Sequence, residues 1–572
     1  MQESLWPFLI NNCTSCHREG GAGSISSFVV NPNSFSNEEE EKLWSLARAT
    51  LPFSTKALVE SKARGFSNHG GGMRVAQNSP EEALIKEWVA RAQEERCSFT
   101  LATEPILQGS PALVRLSPIQ IYLTITTAFG TELGIPDVPS VYIQEAEYQN
   151  RNGFSTTELH ILKEYFSEVQ EIILHQSISC STQSCAENWL WEHIRILIRR
   201  PLSNSEKDVY RTILAAEESI EAGLSSALLV AFLSPQFLFR NSIDSFSILS
   251  KQYQQMEELS YFLWDAPPTK EILDAISEET WDMNAIESLL SDPKTAKTVA
   301  RVHRDWLGAG IVLGRRKDTL AYPDFDAQQA QDILNEFLLF SEHSFINNPT
   351  LEELFTAKTG WINHNLASIY NVEQDSEEWI EMILPKERGG ILSRAAIPSS
   401  HTTSLHNLVP HRGHMLMRRL LCQNFGLAPF TFFIDTIPPN EPMTAQEMIA
   451  MHQANAVCAS CHTYIDPFGL ALESYDAIGY WNSDIDTSGN FTPLNIFFEN
   501  IQDLQSQLIL KPELHQCYAQ VWLERVQQHS LTEAEIAFAN QLGTDLFQHN
   551  GDIRYLLKEI IYRAVLEREE SP

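Results

Sequence analysis

The chain of 572 residues is longer than a single hydrophobic core usually supports, so its length predicts several domains. Hydrophobic residues make up 43% and charged residues 20%, a balance typical of a globular protein and unlike that of a disordered one. With 41 Lys and Arg against 74 Asp and Glu, the formal net charge is −33, which argues against a nucleic acid or an anionic membrane surface as a partner. The same charge is compatible with a basic partner protein, and equally with solubility alone.

The beginning of the chain and its apolar runs bear on localisation. The first ten residues, MQESLWPFLI, lack the basic stretch and the long apolar stretch of a signal peptide. The best apolar run, 228–233, ends at Ser234-Pro235 and is too short to cross a membrane. The sequence therefore leaves two possibilities, a leader that has been removed from this chain or a cytoplasmic protein.

Helix signals dominate from one end of the chain to the other. Capping boxes, in which a Ser or Thr is followed three residues later by Glu or Gln, predict several helix starts. Apolar residues at helical spacing predict further helices over 252–263 and 291–306. Strand patterns are short and scattered, so we predict a mainly α, multidomain fold. The capping boxes begin at Ser79, Ser117, Ser203, Thr444 and Thr532.

Four of the nine cysteines form two copies of the pattern Cys-x-x-Cys-His, one near each end of the chain. This pattern is the attachment site of c-type haem, because two thiols so spaced reach both vinyl groups of one porphyrin and the next His binds the iron. An all-thiolate zinc site and a thiol–disulfide redox pair are the alternatives, and neither explains the His in both copies. We predict two covalently bound haem c groups, held by Cys13, Cys16 and His17 and by Cys458, Cys461 and His462.

The first motif has the surroundings that a small haem domain needs. A short helical start precedes it, a Gly-rich loop follows it, and a capped helix closes the module near Cys97. The loop before that helix contains His69 and Met73, separated by three glycines, and both side chains are able to bind haem iron. We predict that His17 is the proximal ligand and His69 the distal one, with Met73 or an open position as alternatives.

The second motif lies between a predicted helix and the segment 466–481. His462 is the predicted proximal ligand, and His452, six residues before the motif, is the predicted ligand on the opposite side. His401 and a vacant position are the alternatives. Because the chain is expected to turn beside the porphyrin after His462, we predict that 466–481 forms one wall of the haem pocket; the alternative is packing against neighbouring helices. The wall residues are Phe468, Leu470, Leu472, Tyr475 and Trp481.

The five remaining cysteines are candidates for disulfides. Cys180 and Cys185 are close enough in sequence to bridge a small loop, and Cys422 and Cys517 are able to pair in the C-terminal part. Cys97 is then left over. Haem c attachment and disulfides both indicate an oxidising compartment, so we predict a periplasmic or extracytoplasmic protein whose signal peptide has been removed.

The chain resembles, over nearly its whole length, the large multidomain c-type cytochromes of the planctomycete and myxobacterial type. The most specific stretch runs from Gly389-Gly390-Ile391-Leu392 through Arg412-Gly413 to the second motif. It continues with Asp466-Pro467-Phe468-Gly469 and Tyr475-Asp476-Ala477-Ile478-Gly479. The chain departs from the family pattern around 404–411, where relatives have Thr-Ser-Pro and this sequence has Asn407-Leu408-Val409.

The resemblance implies a class I-like cytochrome c domain followed by helical domains of unknown function, with the second haem in the C-terminal pair. It carries no settled reaction. We expect an exported dihaem protein that exchanges electrons with a redox partner. The alternatives are a haem enzyme, peroxidase-like or substrate-oxidising, with an open position at the second haem, or a scaffold subunit of a larger redox assembly. The expected domains are 1–100 (haem 1), 101–178, 179–242, 243–375, 385–490 (haem 2) and 491–572.

Overall fold

A computed structural model describes eight ranges of the chain, all within a compact unit formed by 105–426 and 441–572. Helices dominate the described residues, and the strands there form two-stranded antiparallel sheets. The prediction of a mainly α fold is confirmed for these residues, and the predicted first haem domain lies outside them. The described ranges are 114–138, 155–177, 180–240, 248–278, 286–404, 409–423, 445–454 and 456–566.

The first group of helices is closed by a short sheet, in which β1 (Val114–Arg115) pairs with β2 (Phe239–Arg240). The predicted capping boxes at Ser117 and Ser203 are both present, so these helices begin where the sequence indicates. In the core of the group, Phe166 stacks on Phe232, and Phe237 meets both rings at steeper angles. The helices are α1 (Pro118–Phe129), α2 (Thr156–Ser177), α3 (Gln183–Leu197), α4 (Asn204–Ala216), α5 (Ile220–Phe232) and α6 (Pro235–Leu238).

The central group contains the two helices that apolar spacing predicts, and both predictions are confirmed. The second of them begins after Asp292, whose side chain caps the helix, and ends at Gly308, which adopts a left-handed conformation with a φ of 68°. β3 (Thr359–Ile362) pairs with β4 (Ile380–Ile383). The helices are α7 (Ile248–Trp264), α8 (Lys270–Ser277), α9 (Ile286–Ser291), α10 (Pro293–Leu307), α11 (Ala327–Asn347), α12 (Leu351–Thr356), α13 (His364–Tyr370) and α14 (Ala396–Ser400).

The last group carries the second Cys-x-x-Cys-His motif and the C-terminal helices. The capping box at Thr532 is present, whereas Thr444 lies outside the described residues. β5 (Gly489–Phe491) pairs with β6 (Ile496–Phe498). The helices are α15 (Val409–Leu421), α16 (Ala445–Ala454), α17 (Ala456–Leu470), α18 (Ile501–Leu508), α19 (Pro512–Gln527), α20 (Glu533–Gln548) and α21 (Ile553–Ile560), which a π-helical turn (Ile561–Leu566) continues.

The described residues form two disulfides, one within the first group and one within the last, and both are the predicted pairs. Cys180 bonds to Cys185 at the start of α3, and Cys422, just after α15, bonds to Cys517 on α19. Cys97 lies outside the described residues. Within the described ranges, every helix is too short or too polar to cross a membrane.

Candidate haem site in the second motif

The second Cys-x-x-Cys-His motif lies in α17, and the helix decides how its residues are arranged. Side chains three and four positions apart lie on the same face of an α-helix, so positions 458, 461 and 462 share one face. The side chains of Cys461 and His462 are half-buried. A haem c needs two thiols and one imidazole on the same side of the chain, and this helical placement fits that requirement.

His462 is held by a carboxylate one helical turn further along α17. Its Nδ1 lies 2.9 Å from Oδ1 and 3.1 Å from Oδ2 of Asp466. The Asp466 side chain is fully buried, whereas 22% of the His462 side chain is exposed. Because a carboxylate only accepts hydrogen bonds, Nδ1 is the donor, and Nε2 is the nitrogen whose lone pair suits a metal. The donor set on α17 therefore fits the axial side of a haem.

α17 packs against α15 through a direct contact between the two backbones. A Cβ atom on Gly413 would lie 1.8 Å from the carbonyl oxygen of Ile465, and one on Gly469 would lie 1.9 Å from that of Val409. Residues other than glycine do not allow so close an approach. Since Val409 lies beside Gly469 and Gly413 beside Ile465, the two helices run antiparallel and are fixed in register.

The predicted turn directly after His462 is wrong, because α17 continues to Leu470 with Pro467 inside the helix. A proline lacks the N–H that a helix interior uses and normally breaks the helix there. The contact of Gly469 with the Val409 backbone needs the helix to extend that far. Tertiary packing therefore overrides the local signal, and it places Asp466 on the same helix as His462.

The irregular chain after α17 is held by a buried arginine beside the glycine contact. Arg412 donates from NH1 to the carbonyl oxygens of Leu472 (2.8 Å) and Tyr475 (2.9 Å), and from NH2 to that of Pro398 (3.2 Å). Burial lowers the pKa of Arg412 to about 10, so the guanidinium stays charged at neutral pH. One side chain thus links α15, the segment after α17 and α14.

Arg388 holds the same irregular region from the other side. Its guanidinium donates to the carbonyl oxygens of Ile369, Ser393 and Gly479. It also lies over the rings of Tyr370 and Tyr475, at 4.7 Å and 5.0 Å from their centroids. Such cation–π contacts are strongest where water is excluded, and here both rings are buried.

The predicted pocket wall, 466–481, is largely packed inside the protein. Phe468 is fully buried and meets Phe491 edge-on, with 5.0 Å between the ring centroids. The Tyr475 hydroxyl is buried and donates to the carbonyl oxygen of Glu387. These contacts favour the alternative for Phe468 and Tyr475, which is packing against neighbouring protein groups. Trp481, in contrast, is 38% exposed.

His401, the alternative distal ligand, is committed to a different contact. Its side chain is buried, and its Nε2 lies 2.9 Å from the carbonyl oxygen of Leu307 at the end of α10. A carbonyl oxygen only accepts, so Nε2 carries a proton and is not available to a metal. Burial lowers the pKa of His401 to about 4, which keeps the ring neutral. His401 therefore fastens α14 to α10.

The remaining predicted haem-binding residues lie wholly or partly outside the described part of the chain. His452 lies in α16, the helix before α17, and the side chains of His452 and Cys458 lie outside the described part of the chain. The same holds for all of Cys13, Cys16, His17, His69 and Met73. Among the described side chains, no group of three or more His, Cys, Asp or Glu could hold a metal ion by itself. A haem needs no such group, because the porphyrin brings its own four nitrogen ligands.

Asp466 is the site residue whose role the sequence did not indicate. It follows His462 by four positions, a spacing that brings two side chains together only on a continuous helix. The expectation of a turn at Pro467 hid this relation. The helical spacing of His462 and Asp466 was the available signal, and it needed the helix to run through a proline.

Two parts of the chain match models of known protein families. A family model of a protein of unknown function (DUF1592), called PSD4, matches residues 251–372. A second model of a protein of unknown function (DUF1588), called PSCyt3, matches residues 388–484. Both domains occur in planctomycete and myxobacterial cytochrome c proteins, although no cytochrome domain itself is matched.

The second matched range contains the motif and the contacts that fix α17 against α15. It includes Arg412, Gly413, the motif on α17 and Asp466. The two ranges fall inside the predicted domains 243–375 and 385–490. No curated protein and no solved structure matches the chain.

Proposed function

We propose that this protein is an exported c-type cytochrome that carries two covalent haems and transfers electrons to or from a redox partner protein. The observation that carries the proposal is the pair of complete Cys-x-x-Cys-His motifs. The second motif lies on one face of a helix, and its His donates from Nδ1 to a carboxylate, so that Nε2 carries the lone pair. The two matched domains, which occur in cytochrome c proteins, agree with this proposal.

At the second site, each residue has a definite part. Cys458 and Cys461 would hold the porphyrin through thioether bonds, and His462 would bind the iron through Nε2. Asp466 keeps the imidazole in one tautomer and one orientation. The haem supplies a one-electron redox couple when it is bound. The Gly413–Ile465 contact holds α17 so that the motif keeps its position.

At the first site, Cys13, Cys16 and His17 would hold the other haem in the same way. The loop that contains His69 and Met73 would supply the ligand on the opposite side, and we propose His69 for this role. Two haems in one chain allow an electron to enter at one site and leave at the other. The formal charge of −33 favours a partner protein with a basic docking surface.

We propose a periplasmic or extracytoplasmic location for the protein. Disulfides persist in oxidising compartments, and the bonds Cys180–Cys185 and Cys422–Cys517 support this location. Attachment of haem c takes place in the same kind of compartment. Fractionation of the native cells tests the location, and recovery of the protein together with cytoplasmic marker enzymes would contradict it.

A haem enzyme is the second candidate, and one contact favours it. A carboxylate that accepts from Nδ1 of a ligand His makes the imidazole a stronger donor to the metal, which stabilises higher oxidation states of iron. Peroxidase-like or substrate-oxidising chemistry needs such states and an open coordination position. The Nε2 of His401 does not fill that position, because it is bonded to the carbonyl oxygen of Leu307.

Two measurements on the full chain, produced in a host that attaches haem c, test these functions. Denaturing mass spectrometry is expected to show the added mass of two haems, and of one haem in a Cys458→Ser/Cys461→Ser variant. One haem or none on the unaltered chain would overturn the proposal. Electron paramagnetic resonance of the oxidised protein then separates the candidates, since low-spin iron at both haems supports the carrier and high-spin iron at the second supports the enzyme.

A further inference from the structure

We propose that Asp466 lowers the reduction potential of the second haem, acting on the iron through His462 as a positioning residue. The inference rests on the proposed function, because it needs a haem bound at the α17 motif. It goes beyond that function by naming the residue that tunes the reduction potential at this site.

The geometry makes the pair a strong one. Both oxygens of the carboxylate lie within hydrogen-bond distance of Nδ1, at 2.9 Å and 3.1 Å. Both residues lie on α17, four positions apart, so the helix backbone itself sets their separation. The Asp466 side chain is fully buried, and a hydrogen bond to a charged group is stronger where water is excluded.

The position of Asp466 in the helix argues against a merely structural role. A carboxylate stabilises a helix when it caps the free N–H groups of the first turn, but Asp466 lies in the second half of α17. Its helix neighbours Ile465 and Phe468 are buried apolar residues. Burying a charge has a cost, and the hydrogen bond to His462 offsets part of it.

The electronic consequence has a definite sign. Asp466 draws the Nδ1 proton toward itself without removing it, and the imidazole donates more electron density at Nε2. A stronger donor stabilises Fe(III) more than Fe(II). The reduction, in which Fe(III) takes one electron from a redox partner protein to become Fe(II), therefore becomes less favourable. The step would exchange one electron between the haem and the partner protein.

The test is a spectroelectrochemical titration of the full dihaem protein with and without Asp466→Asn. Asparagine has the shape of aspartate and no charge, so the hydrogen bond weakens while the packing stays. We expect the reduction potential of one haem to rise by at least about 59 mV, which corresponds to a tenfold change in its one-electron reduction equilibrium. The potential of the other haem should stay unchanged. Asp466→Glu, which restores a carboxylate, should return the potential toward that of the unaltered protein.

A matched control separates this contact from the general charge of the protein. Asp484 is exposed and bonds to Ser483 and Asn482, so Asp484→Asn removes the same charge without touching His462. We expect it to leave both potentials unchanged. An equal rise in Asp484→Asn, or no rise in Asp466→Asn, would overturn the inference.

The remaining outcomes are also decisive. If Asp466→Asn does not accumulate, the smaller Asp466→Ser carries the same expectation of a raised potential. If neither variant retains the second haem while Asp484→Asn does, Asp466 is needed for folding and the tuning role is rejected. Absence of the second haem from the unaltered protein would instead reject the proposed function, which the mass measurement shows independently.

Discussion

The two regions that match family models, 251–372 and 388–484, accommodate buried charge in different ways. In the first region, buried carboxylates pair with arginines: Glu336 bonds to Arg394 at 2.8 Å, and Asp265 bonds to Arg525 at 2.7 Å. Burial alone would raise the pKa of Asp265, but the nearby arginines hold it at about 2. In the second region, the buried Arg412 donates mainly to backbone carbonyl oxygens.

The difference follows from the local backbone. The first region is built mainly of helices, which satisfy their own N–H and C=O groups, so that buried side chains are free to pair with each other. The stretches 386–404 and 471–484 consist of short helical turns and irregular chain, and some of their buried carbonyl oxygens take donors from elsewhere. An arginine carries five N–H donors and is suited to several carbonyls at once. Arginine side chains there supply the hydrogen bonds that backbone N–H groups supply within a helix or sheet.

The largest expected effect comes from the glycine contact of the second region. Gly413→Ala would drive a Cβ into the carbonyl oxygen of Ile465 and separate α15 from α17. We expect a loss of more than about 5 kcal/mol in the free energy of unfolding, together with loss of a haem bound at the second motif. Gly314→Ala is the control, because nothing lies within 4 Å of its Cβ position. Thermal unfolding followed by circular dichroism checks both; an unchanged midpoint for Gly413→Ala would refute the contact.

The next effect separates the two disulfides. The bond Cys422–Cys517 closes a loop of 95 residues that contains the second haem motif, whereas Cys180–Cys185 closes one of five. The loop-entropy relation predicts a loss of about 5 kcal/mol for removing the long bridge by double Ala substitution, and of about 2 kcal/mol for the short one. Urea unfolding measures both losses. Equal losses would mean that loop length does not govern the stability of the second region.

Arg394 and Arg412 both lie within 388–484, but Arg394 pairs with a buried carboxylate of the first region whereas Arg412 donates to backbone carbonyl oxygens, so replacing each in turn tests the two ways of holding buried charge. Arg394→Met leaves Glu336 as an unpaired buried charge and should cost about 4 kcal/mol. Arg412→Met leaves carbonyl oxygens without donors and should cost about 3 kcal/mol. Adding Glu336→Gln should recover part of the first loss. Adding Glu473→Gln, which neutralises the carboxylate 3.7 Å from Arg412, should recover nothing, and a recovery there, measured by urea unfolding, would contradict the distinction.

The smallest expected effect is a dependence on pH in the helical part. His303 is buried between the Ser341 and Tyr518 hydroxyls, and burial lowers its pKa to about 3. The unfolded chain, with an ordinary pKa near 6.5, binds the proton more readily, so stability is complete above pH 6.5 and is lost as the pH falls toward 3. By pH 4 this single group accounts for about 3 kcal/mol.

The substitution His303→Gln provides the measurement. Glutamine does not titrate. In the unaltered protein, unfolding between pH 6.5 and 4 takes up one proton at His303, and this uptake makes the free energy of unfolding fall with pH. In the variant this contribution is absent, so the slope of unfolding free energy against pH should be shallower. The two proteins need not have the same free energy of unfolding at pH 7, because only the slope against pH reports on the titration of His303. Parallel curves for the two proteins would show that His303 does not set the acid sensitivity.

Features that depend on neighbours in sequence were predictable. A capping box is a hydrogen-bond exchange across three residues, so Ser117, Ser203 and Thr532 could be identified as helix starts without knowledge of the fold. The pairing of Cys180 with Cys185 was predictable for the same reason. The pairing of Cys422 with Cys517 was a candidate because both cysteines lie in the C-terminal part of the chain.

Features that depend on distant partners were not predictable. The carbonyl oxygens that accept from Arg412 belong to residues up to 64 positions away, and no local sequence pattern predicts these partners. His401 looked like a free ligand in the sequence, but its Nε2 is bonded to Leu307, 94 positions earlier. In both cases, a polar group found its partner only after helices from different parts of the chain had packed.

The second haem motif shows where the two kinds of information meet. The sequence by itself determined which groups the motif offers, because two thiols and an imidazole at fixed spacing are set by covalent neighbours. Only the tertiary structure decided that Asp466 reaches His462. That contact needs α17 to continue through Pro467, and the backbone contact of Gly469 with Val409 stabilises the helix over that stretch. Short-range spacing specifies which groups are present, whereas packing between helices specifies which of them touch.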